Sequence, residues 1–206
     1  MSQHAISTED MSFRKRVSVL DTNMAYVDAG RRTPIEYVAV LCRMCERIEM
    51  NEARATQTRG VFGMVCRVKV GVLASPPRIW SLLTDAVSFP RWNSTVTSIE
   101  GQIREGQRLR IRVPGSDRTF APRVSGVVPN QRMTWAGGLA GIFKGVRLFR
   151  LAELDDGSTD FEMQERFSGL LFPLIGRLLP DFRPIFERYA IDLKREAERA
   201  PKDPRN

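Results

Sequence analysis

Alternating apolar and polar positions begin at residue 61 and predict a first β-strand over residues 61–72. Arg67 and Lys69 fall on the polar side of this stretch, and the apolar side is formed by Met64, Cys66, Val68, Val70 and Val72. Such alternation is typical of a strand with one buried face. Similar runs separated by turn residues predict six more strands, over residues 96–100, 107–113, 119–128, 133–137, 145–154 and 158–168.

Helical spacing replaces alternation directly after the first strand. Ser75 is a predicted N-cap, and Pro76 suits the first helical position because its missing N–H costs nothing there. The apolar stripe of this helix is Ile79, Trp80, Leu82, Leu83, Ala86 and Val87. A second short turn is predicted over residues 89–93, with two aromatic side chains, Phe89 and Trp92.

The C-terminal part predicts one long helix. Residues 170–179 form an apolar helical stretch interrupted by glycine, in which Leu171 and Phe172 could form a hydrophobic lip. Asp181 is the predicted cap of the final helix, which runs to about Arg199. Its apolar stripe consists of Phe182, Ile185, Phe186, Tyr189 and Leu193.

These elements predict an α+β fold in which a curved, seven-stranded antiparallel sheet surrounds the long C-terminal helix. The order of the elements and the residues of the first helical region resemble the START/polyketide-cyclase superfamily, also called SRPBCC or helix-grip, over about residues 61–200. The residues that carry this resemblance include Ser75, Pro77, Ile79, Trp80, Leu83, Asp85, Phe89, Pro90, Trp92 and Asn93. The resemblance implies an internal cavity, open at one end, for lipids, sterols, polyketides or other apolar ligands.

The ligand-binding candidates are the large apolar side chains predicted to face the helix. The position of Trp80 favours core packing, that of Trp92 favours the mouth of a pocket, and that of Trp135 suits either role. The full predicted lining is Trp80, Phe89, Trp92, Ile111, Trp135, Phe149, Phe161, Met163, Phe167, Phe182, Phe186 and Tyr189.

Three polar residues are the candidates for catalysis. Glu165 shares the inward face of the last strand with Phe161, Met163 and Phe167, so we expect its carboxylate to be paired or neutral. Arg147 on the neighbouring strand is a candidate partner, and a structural ion pair is the more common role of such a pair. Glu165, Arg147 and Tyr189 are the groups available for acid–base chemistry in a cyclase-like or dehydratase-like enzyme.

Charge and the rarer residue types narrow the function. The formal net charge is +8, but Arg108, Arg110 and Arg112 alternate with apolar residues as on a solvated strand face. No nucleic-acid partner is expected, whereas peripheral membrane contact stays open. The only histidine is His4, which leaves residues 61–200 without a His-based triad or His metal site, and the lone pair Cys42 and Cys45 is a poor zinc site. We expect no metal and no organic cofactor.

The first 60 residues predict a separate, weakly integrated extension. Residues 1–35 resemble the opening of haloalkane dehalogenases, with two short strands, but the oxyanion loop and nucleophile elbow of that family do not follow. We therefore expect no dehalogenase activity. Residues 36–58 predict a marginal helix and a linker, and residues 201–206 a frayed tail.

The most plausible function from these features is binding of a hydrophobic small molecule, as a carrier, sensor or chaperone. An enzyme that uses the same cavity, with Glu165 as acid or base, is the alternative. No stretch is long and apolar enough to span a bilayer, and the start is unlike a secretory signal, so the expected compartment is the cytoplasm. The oligomeric state is open.

Overall fold

The computed structural model describes residues 52–139 and 141–199, within the compact unit Glu46–Asn206. The predictions for the dehalogenase-like start, the marginal helix, the cysteine pair and the C-terminal tail lie outside the described residues. Within the described part of the chain, no helix is long and apolar enough to cross a membrane.

The main element is a six-stranded antiparallel sheet. Its strands in chain order are β1 (Arg54–Arg59), β2 (Gly63–Val72), β6 (Arg123–Val128), β7 (Arg132–Leu139), β8 (Phe143–Glu153) and β9 (Thr159–Ser168). They are arranged in the spatial order β1-β2-β9-β8-β7-β6. A smaller sheet contains β3 (Ser98–Glu100), β4 (Arg110–Arg112) and β5 (Thr119–Phe120). The Leu109 amide donates to the Pro122 carbonyl at 2.8 Å, which connects the two sheets.

Three predictions about strands need correction. Residues 54–59, expected to be linker, form β1, because their backbone pairs with the edge of β2 from Met64 to Lys69. The predicted strand 119–128 is divided into β5 and β6, since Pro122 has no N–H to donate to a ladder. The expected loop at residues 137–141 begins later, because β7 pairs with β8 as far as Leu139.

The predicted helices are present. They are α1 (Pro76–Thr84), α2 (Phe89–Trp92), α3 (Phe172–Ile175), which continues as a 3₁₀ turn over Gly176–Leu178, and the long α4 (Arg183–Glu198). The two predicted caps differ in detail. Ser75 accepts from Arg78 and Ile79 through its carbonyl and not through its side chain. Phe182 is the N-cap of α4, while the Asp181 carboxylate accepts from the Arg183 amide at 3.0 Å.

The core lies between the inner face of the large sheet and α4. Residues at alternate positions of β2 and β9 are buried there, and α4 contributes Phe186, Tyr189, Ala190 and Leu193. Two residues assigned to apolar stripes are instead exposed: Val87 follows the end of α1, and Ile185 lies on the outer side of α4. The α+β helix-grip architecture predicted from the sequence is confirmed.

Candidate functional site

An aromatic cluster around Tyr189 occupies the space between the sheet and α4. The rings of Phe89, Trp92 and Phe149 each lie 6.1 Å from the Tyr189 ring, and Phe161 lies 6.4 Å away in a stacked arrangement. Trp135 joins through Phe149 at 4.9 Å. All six side chains are buried. The rings contact one another and fill this region. The open cavity expected between the sheet and α4 stays a prediction.

Local structure explains how these rings meet. Phe89 and Trp92 are three residues apart on α2, so both project from the same side of one turn. Strand register aligns Met133, Phe149 and Met163 across β7, β8 and β9. Tyr189 then reaches this surface from α4, where it lies three residues after Phe186. The predicted candidates on these elements are therefore brought together.

Several buried polar atoms in this region have no hydrogen-bond partner among the described residues. They are Trp92 Nε1, Trp135 Nε1, the Tyr189 hydroxyl and Asn93 Nδ2. An indole N–H can only donate, so each tryptophan requires an acceptor. Leaving such a group unsatisfied costs about 1–3 kcal/mol. Burial raises the pKa of Tyr189 despite the opposing effect of Arg147, so its phenol stays protonated at neutral pH.

Asn93 is a functional candidate that the site prediction missed. It is fully buried at the end of α2, and its Oδ1 accepts from the Thr95 amide and hydroxyl at 2.9 and 2.7 Å. Only its amide nitrogen is left unpaired. Its position directly after Trp92 was the available signal, but residue type alone does not distinguish a turn asparagine from one pointing into a core.

Asp192 is a second buried polar residue that the sequence analysis did not identify. Its carboxylate accepts from the Ser94 amide at 2.9 Å and the Ser94 hydroxyl at 2.6 Å. This contact fastens the segment after α2 to α4, and so positions Trp92 and Asn93. The signal was its spacing of three residues from Tyr189, which places it near the buried side of α4.

The predicted pair Arg147 and Glu165 is present on the inner face. Opposite positions of β8 and β9 bring the two side chains together, and Oε2 of Glu165 accepts from Nε of Arg147 at 2.9 Å and from Nη2 at 2.6 Å. The Arg147 guanidinium also lies 5.6 Å from the centre of the Phe186 ring. The side chains remain 26% and 15% exposed. Oε1 of Glu165 accepts no hydrogen bond among the described residues, so one carboxylate oxygen is left for another partner.

Beyond this ion pair lies a second aromatic group. Phe167 stacks with Phe182 at 5.1 Å and with Phe143 at 6.0 Å. Glu165 separates Phe167 from Met163 along the inner face of β9. The predicted lining therefore falls into two apolar regions, with a polar layer of Arg147 and Glu165 between them.

Two predicted lining residues lie away from both groups. Trp80 is half-buried on α1, where it packs against the core. Ile111 is buried on β4 of the small sheet. No ring contact joins Trp80 to Tyr189 in the described part of the chain. Their predicted role in ligand binding stays untested, as does that of the other candidates.

Comparison with solved structures identifies the same fold in other proteins. A norcoclaurine synthase mutant from Thalictrum flavum, solved with a transition-state analogue, has 15% identity and a TM-score of 0.53, covering 68% of this chain and 97% of the synthase. A Mesorhizobium loti protein has 18% identity and a TM-score of 0.51, with coverages of 66% and 99%. A protein of unknown function from Enterococcus faecalis has 17% identity and a TM-score of 0.50, with coverages of 73% and 80%.

No curated protein matches the sequence of this chain. A family model does match it, over residues 65–198, which is more than half of the chain. The matched range begins in β2 and ends with α4, so it includes the ion pair and the aromatic cluster. The superfamily resemblance found in the sequence is thereby confirmed. The chain belongs to the polyketide cyclase/dehydrase and lipid transport family.

Proposed function

We propose that the domain binds a hydrophobic small molecule between the sheet and α4, and serves in the cytoplasm as a carrier, sensor or chaperone. The observation that carries this proposal is the set of unpaired donors in the aromatic cluster: Trp92 Nε1, Trp135 Nε1 and the Tyr189 hydroxyl. Aromatic walls with a few convergent polar groups are typical of small-molecule sites. The family description, which includes lipid transport, is consistent with such a ligand.

The donors define the chemistry of the ligand. Because both indoles can only donate, the ligand must present acceptor atoms such as carbonyl, ether or hydroxyl oxygens. Its remaining surface must be apolar, since the surrounding side chains are aromatic or aliphatic. Lipid-like, polyketide-like and aromatic ketone or phenol ligands satisfy both conditions. A ligand that reaches Oε1 of Glu165 would need a donor at that end.

Entry of a ligand requires the rings to separate, since they contact one another. α2 is the element best suited to move, because it has only four residues and carries both Phe89 and Trp92. Asp192 holds the chain after α2 through Ser94. We infer that α2 swings outward about this attachment when ligand enters.

Native mass spectrometry of protein purified gently from an extract of its own host tests the proposal. We expect a retained apolar mass, and its release under harsher activation would identify the ligand class. Retention of no small molecule, together with no thermal stabilisation by an extract of host lipids and metabolites, would contradict the carrier role.

The retained compound then allows a comparison of dissociation constants. Tyr189→Phe and Trp135→Phe each remove one donor, and we expect each to weaken binding about tenfold through one lost buried hydrogen bond. Trp80→Phe is the matched control, because it makes the same chemical change outside the cluster. Equal losses in all three variants would show that the unpaired donors do not select the ligand.

A cyclase-like or dehydratase-like enzyme is the second candidate. It is favoured by Oε1 of Glu165, which accepts no hydrogen bond from any described residue while Oε2 is engaged by Arg147. Such an oxygen could move a proton beside a ligand carbonyl. Oε2 accepts two hydrogen bonds from Arg147, as in a structural ion pair, and this favours the binding role.

Glu165→Gln separates the two functions. If the site is catalytic, this variant keeps ligand affinity and loses turnover of polyketide-like substrates. Unchanged turnover in this variant would exclude Glu165 as the acid or base. Absence of any turnover by the unaltered protein, with ligand retained, would leave the carrier proposal standing.

A further inference from the structure

One end of the domain carries a concentration of exposed apolar side chains. Of the thirteen large hydrophobic residues exposed in the described ranges, eight lie at this end, where the β1–β2 turn, the β7–β8 turn and the segment after β9 meet. We call this set the apolar tip: Val61, Phe62, Leu139, Ile142, Leu170, Leu171, Leu174 and Leu178. Leu178 is 82% exposed, Leu170 76% and Leu174 72%.

Backbone hydrogen bonds hold the three segments of the tip together. The Leu170 amide donates to the Gly141 carbonyl at 2.9 Å, and the Leu171 amide donates to the Ile142 carbonyl at 3.1 Å. The Gly169 amide donates to the Phe62 carbonyl at 3.4 Å. The apolar tip is therefore one surface joined by backbone hydrogen bonds, and not three independent loops.

Two further contacts fix the segment after β9. The Arg59 guanidinium donates to the carbonyls of Gly176 and Leu179, at 2.6 and 2.7 Å. Phe172 is buried against Gly176, so the prediction that it forms part of an exposed lip is wrong, whereas Leu171 is exposed as expected. Leu171, Leu174 and Leu178 are spaced by three and four residues, and so project from one side of the turn.

Cations without neighbouring acids border the apolar tip. Lys144, Arg166 and Arg177 are exposed, and none of them has a carboxylate within salt-bridge distance among the described residues. The three chain segments that build this end, residues 58–65, 139–146 and 166–180, contain no Asp or Glu. The end of the domain is thus apolar at its point and positive at its border.

We propose that the apolar tip docks on an anionic lipid bilayer. Apolar side chains of a peripheral protein enter the boundary between headgroups and acyl chains, while basic residues contact anionic headgroups. Both features are present here on one surface. A second copy of the chain fits this surface poorly, because a symmetric contact would bring the same unpaired cations together. The inference does not depend on which ligand the interior binds.

Cosedimentation of the full chain with lipid vesicles tests this inference. We expect binding to vesicles of phosphatidylcholine mixed with phosphatidylglycerol, and binding at least about tenfold weaker to phosphatidylcholine alone, as lost contacts with anionic headgroups imply. High salt should weaken binding to the mixed vesicles, since exposed charges are screened.

Variants locate the contact on the protein. L174E/L178E should lower binding to mixed vesicles by about tenfold or more, because charged side chains are excluded from the acyl boundary. Val87→Glu is the control for an added carboxylate outside the contact: Val87 is 89% exposed and follows α1, beyond the opposite end of β2 from the tip. This control should bind less than about twofold more weakly, since it adds one charge away from the contact. Circular dichroism and thermal unfolding check that each variant is folded.

A tryptophan reporter adds a measurement that does not depend on loss of binding. Leu178→Trp keeps the tip apolar, and lipids with brominated acyl chains should quench its fluorescence more than that of the unaltered protein. Failure to sediment with any vesicle, equal binding by L174E/L178E, or absence of extra quenching would overturn the proposal. A dimer that L174E/L178E converts to monomer, without vesicle binding, would instead assign the tip to self-association.

Discussion

At the residue scale, Tyr189 combines a ring that packs in the core with a hydroxyl that lacks a hydrogen-bond partner. Its ring contacts four other aromatic side chains, while its hydroxyl is buried without a partner among the described residues. The apolar contacts stabilise the fold in any case. The hydroxyl does not stabilise the fold, because on burial it loses its hydrogen bonds to water and gains none from the described residues.

Tyr189→Phe should therefore stabilise the ligand-free protein. We expect its free energy of unfolding to rise by about 1 kcal/mol, because the substitution removes an unsatisfied buried group and retains the ring. Chemical denaturation measures this. A fall of similar size would show that the hydroxyl is satisfied in solution, for instance by a bound water, and would remove it from the set of free donors.

Cys66 links a single residue to the pH dependence of stability. It is fully buried on β2, and burial, with smaller contributions from Asp181 and Glu165, raises the pKa of its thiol from 9.0 to about 11. Below pH 9 the thiol is protonated in both the folded and the unfolded chain. Between pH 9 and about 11 the unfolded chain ionises first, so stability falls as pH rises through this window.

We expect Cys66→Ala to reduce this loss of stability at high pH. The unaltered protein should lose roughly 2–3 kcal/mol more than the variant between pH 8.5 and 11, because a shift of one pKa unit corresponds to about 1.4 kcal/mol. Urea denaturation at a series of pH values measures the difference. Parallel curves for the two proteins would contradict the burial-shifted thiol.

At the element scale, the pairing of β8 with β9 decides what Glu165 can do. Alternation along β9 predicts its inward direction, and alternation along β8 predicts the same for Arg147. Their direct opposition follows from the register of the two strands, which the alternation within each strand does not determine. Removing one member leaves the other without its partner in a partly buried position.

Arg147→Met should cost about 2 kcal/mol of stability, less than a fully buried pair would, because both side chains are partly exposed. The double variant R147M/E165L should cost less than Arg147→Met alone, since no unpaired charge remains. Arg110→Met is the control: its contact with Glu100 is 3.6 Å long and exposed, so we expect a change within about 0.5 kcal/mol. Additive costs of the two single substitutions would exclude coupling.

Gly169 controls how the chain leaves β9 and enters the apolar tip. Its φ is +145°, and a Cβ at this position would overlap the backbone of Ile142. Gly169→Ala should therefore destabilise the protein by more than about 2 kcal/mol, since both the backbone conformation and the close contact require glycine. Gly157 is the matched control, with φ +78° and open space around it.

We expect Gly157→Ala to cost only about 1 kcal/mol, the usual penalty for a left-handed backbone conformation. Thermal and chemical unfolding compare the two glycine variants. Similar costs would show that the Ile142 backbone moves aside readily, and that the close packing of the tip is less rigid than described.

At the scale of the whole molecule, the N-terminal resemblance and the helix-grip domain predict different activities. The similarity of residues 1–35 to the start of haloalkane dehalogenases stays a prediction, and the catalytic elements of that family do not follow them in the sequence. We expect the purified full chain to release no chloride from haloalkanes. Release above the level of a heat-denatured sample, measured by ion chromatography, would show that the N-terminal part contributes catalytic function.

The helix-grip fold could be predicted because its signals are local. Alternation identified β2 and β9, the pair Ser75 and Pro76 identified the start of α1, and the stripe through Phe186 and Tyr189 identified α4. β1 was missed because its sequence is mostly polar and the residues on either side of it are typical of a linker. It forms because β2 offers an unpaired edge, which is a tertiary cause.

The sequence by itself determined the fold class, the inward aromatic residues of β8, β9 and α4 and the direction of Glu165, because side-chain periodicity is a property of each element alone. Only the tertiary structure decided which polar atoms stay unpaired, since pairing depends on atoms from α2, β7 and α4 that are distant in the chain. It likewise created the apolar tip, by joining turns near residues 61, 140 and 170. Single exposed leucines are ordinary in a sequence, and their meaning depends on being gathered on one surface.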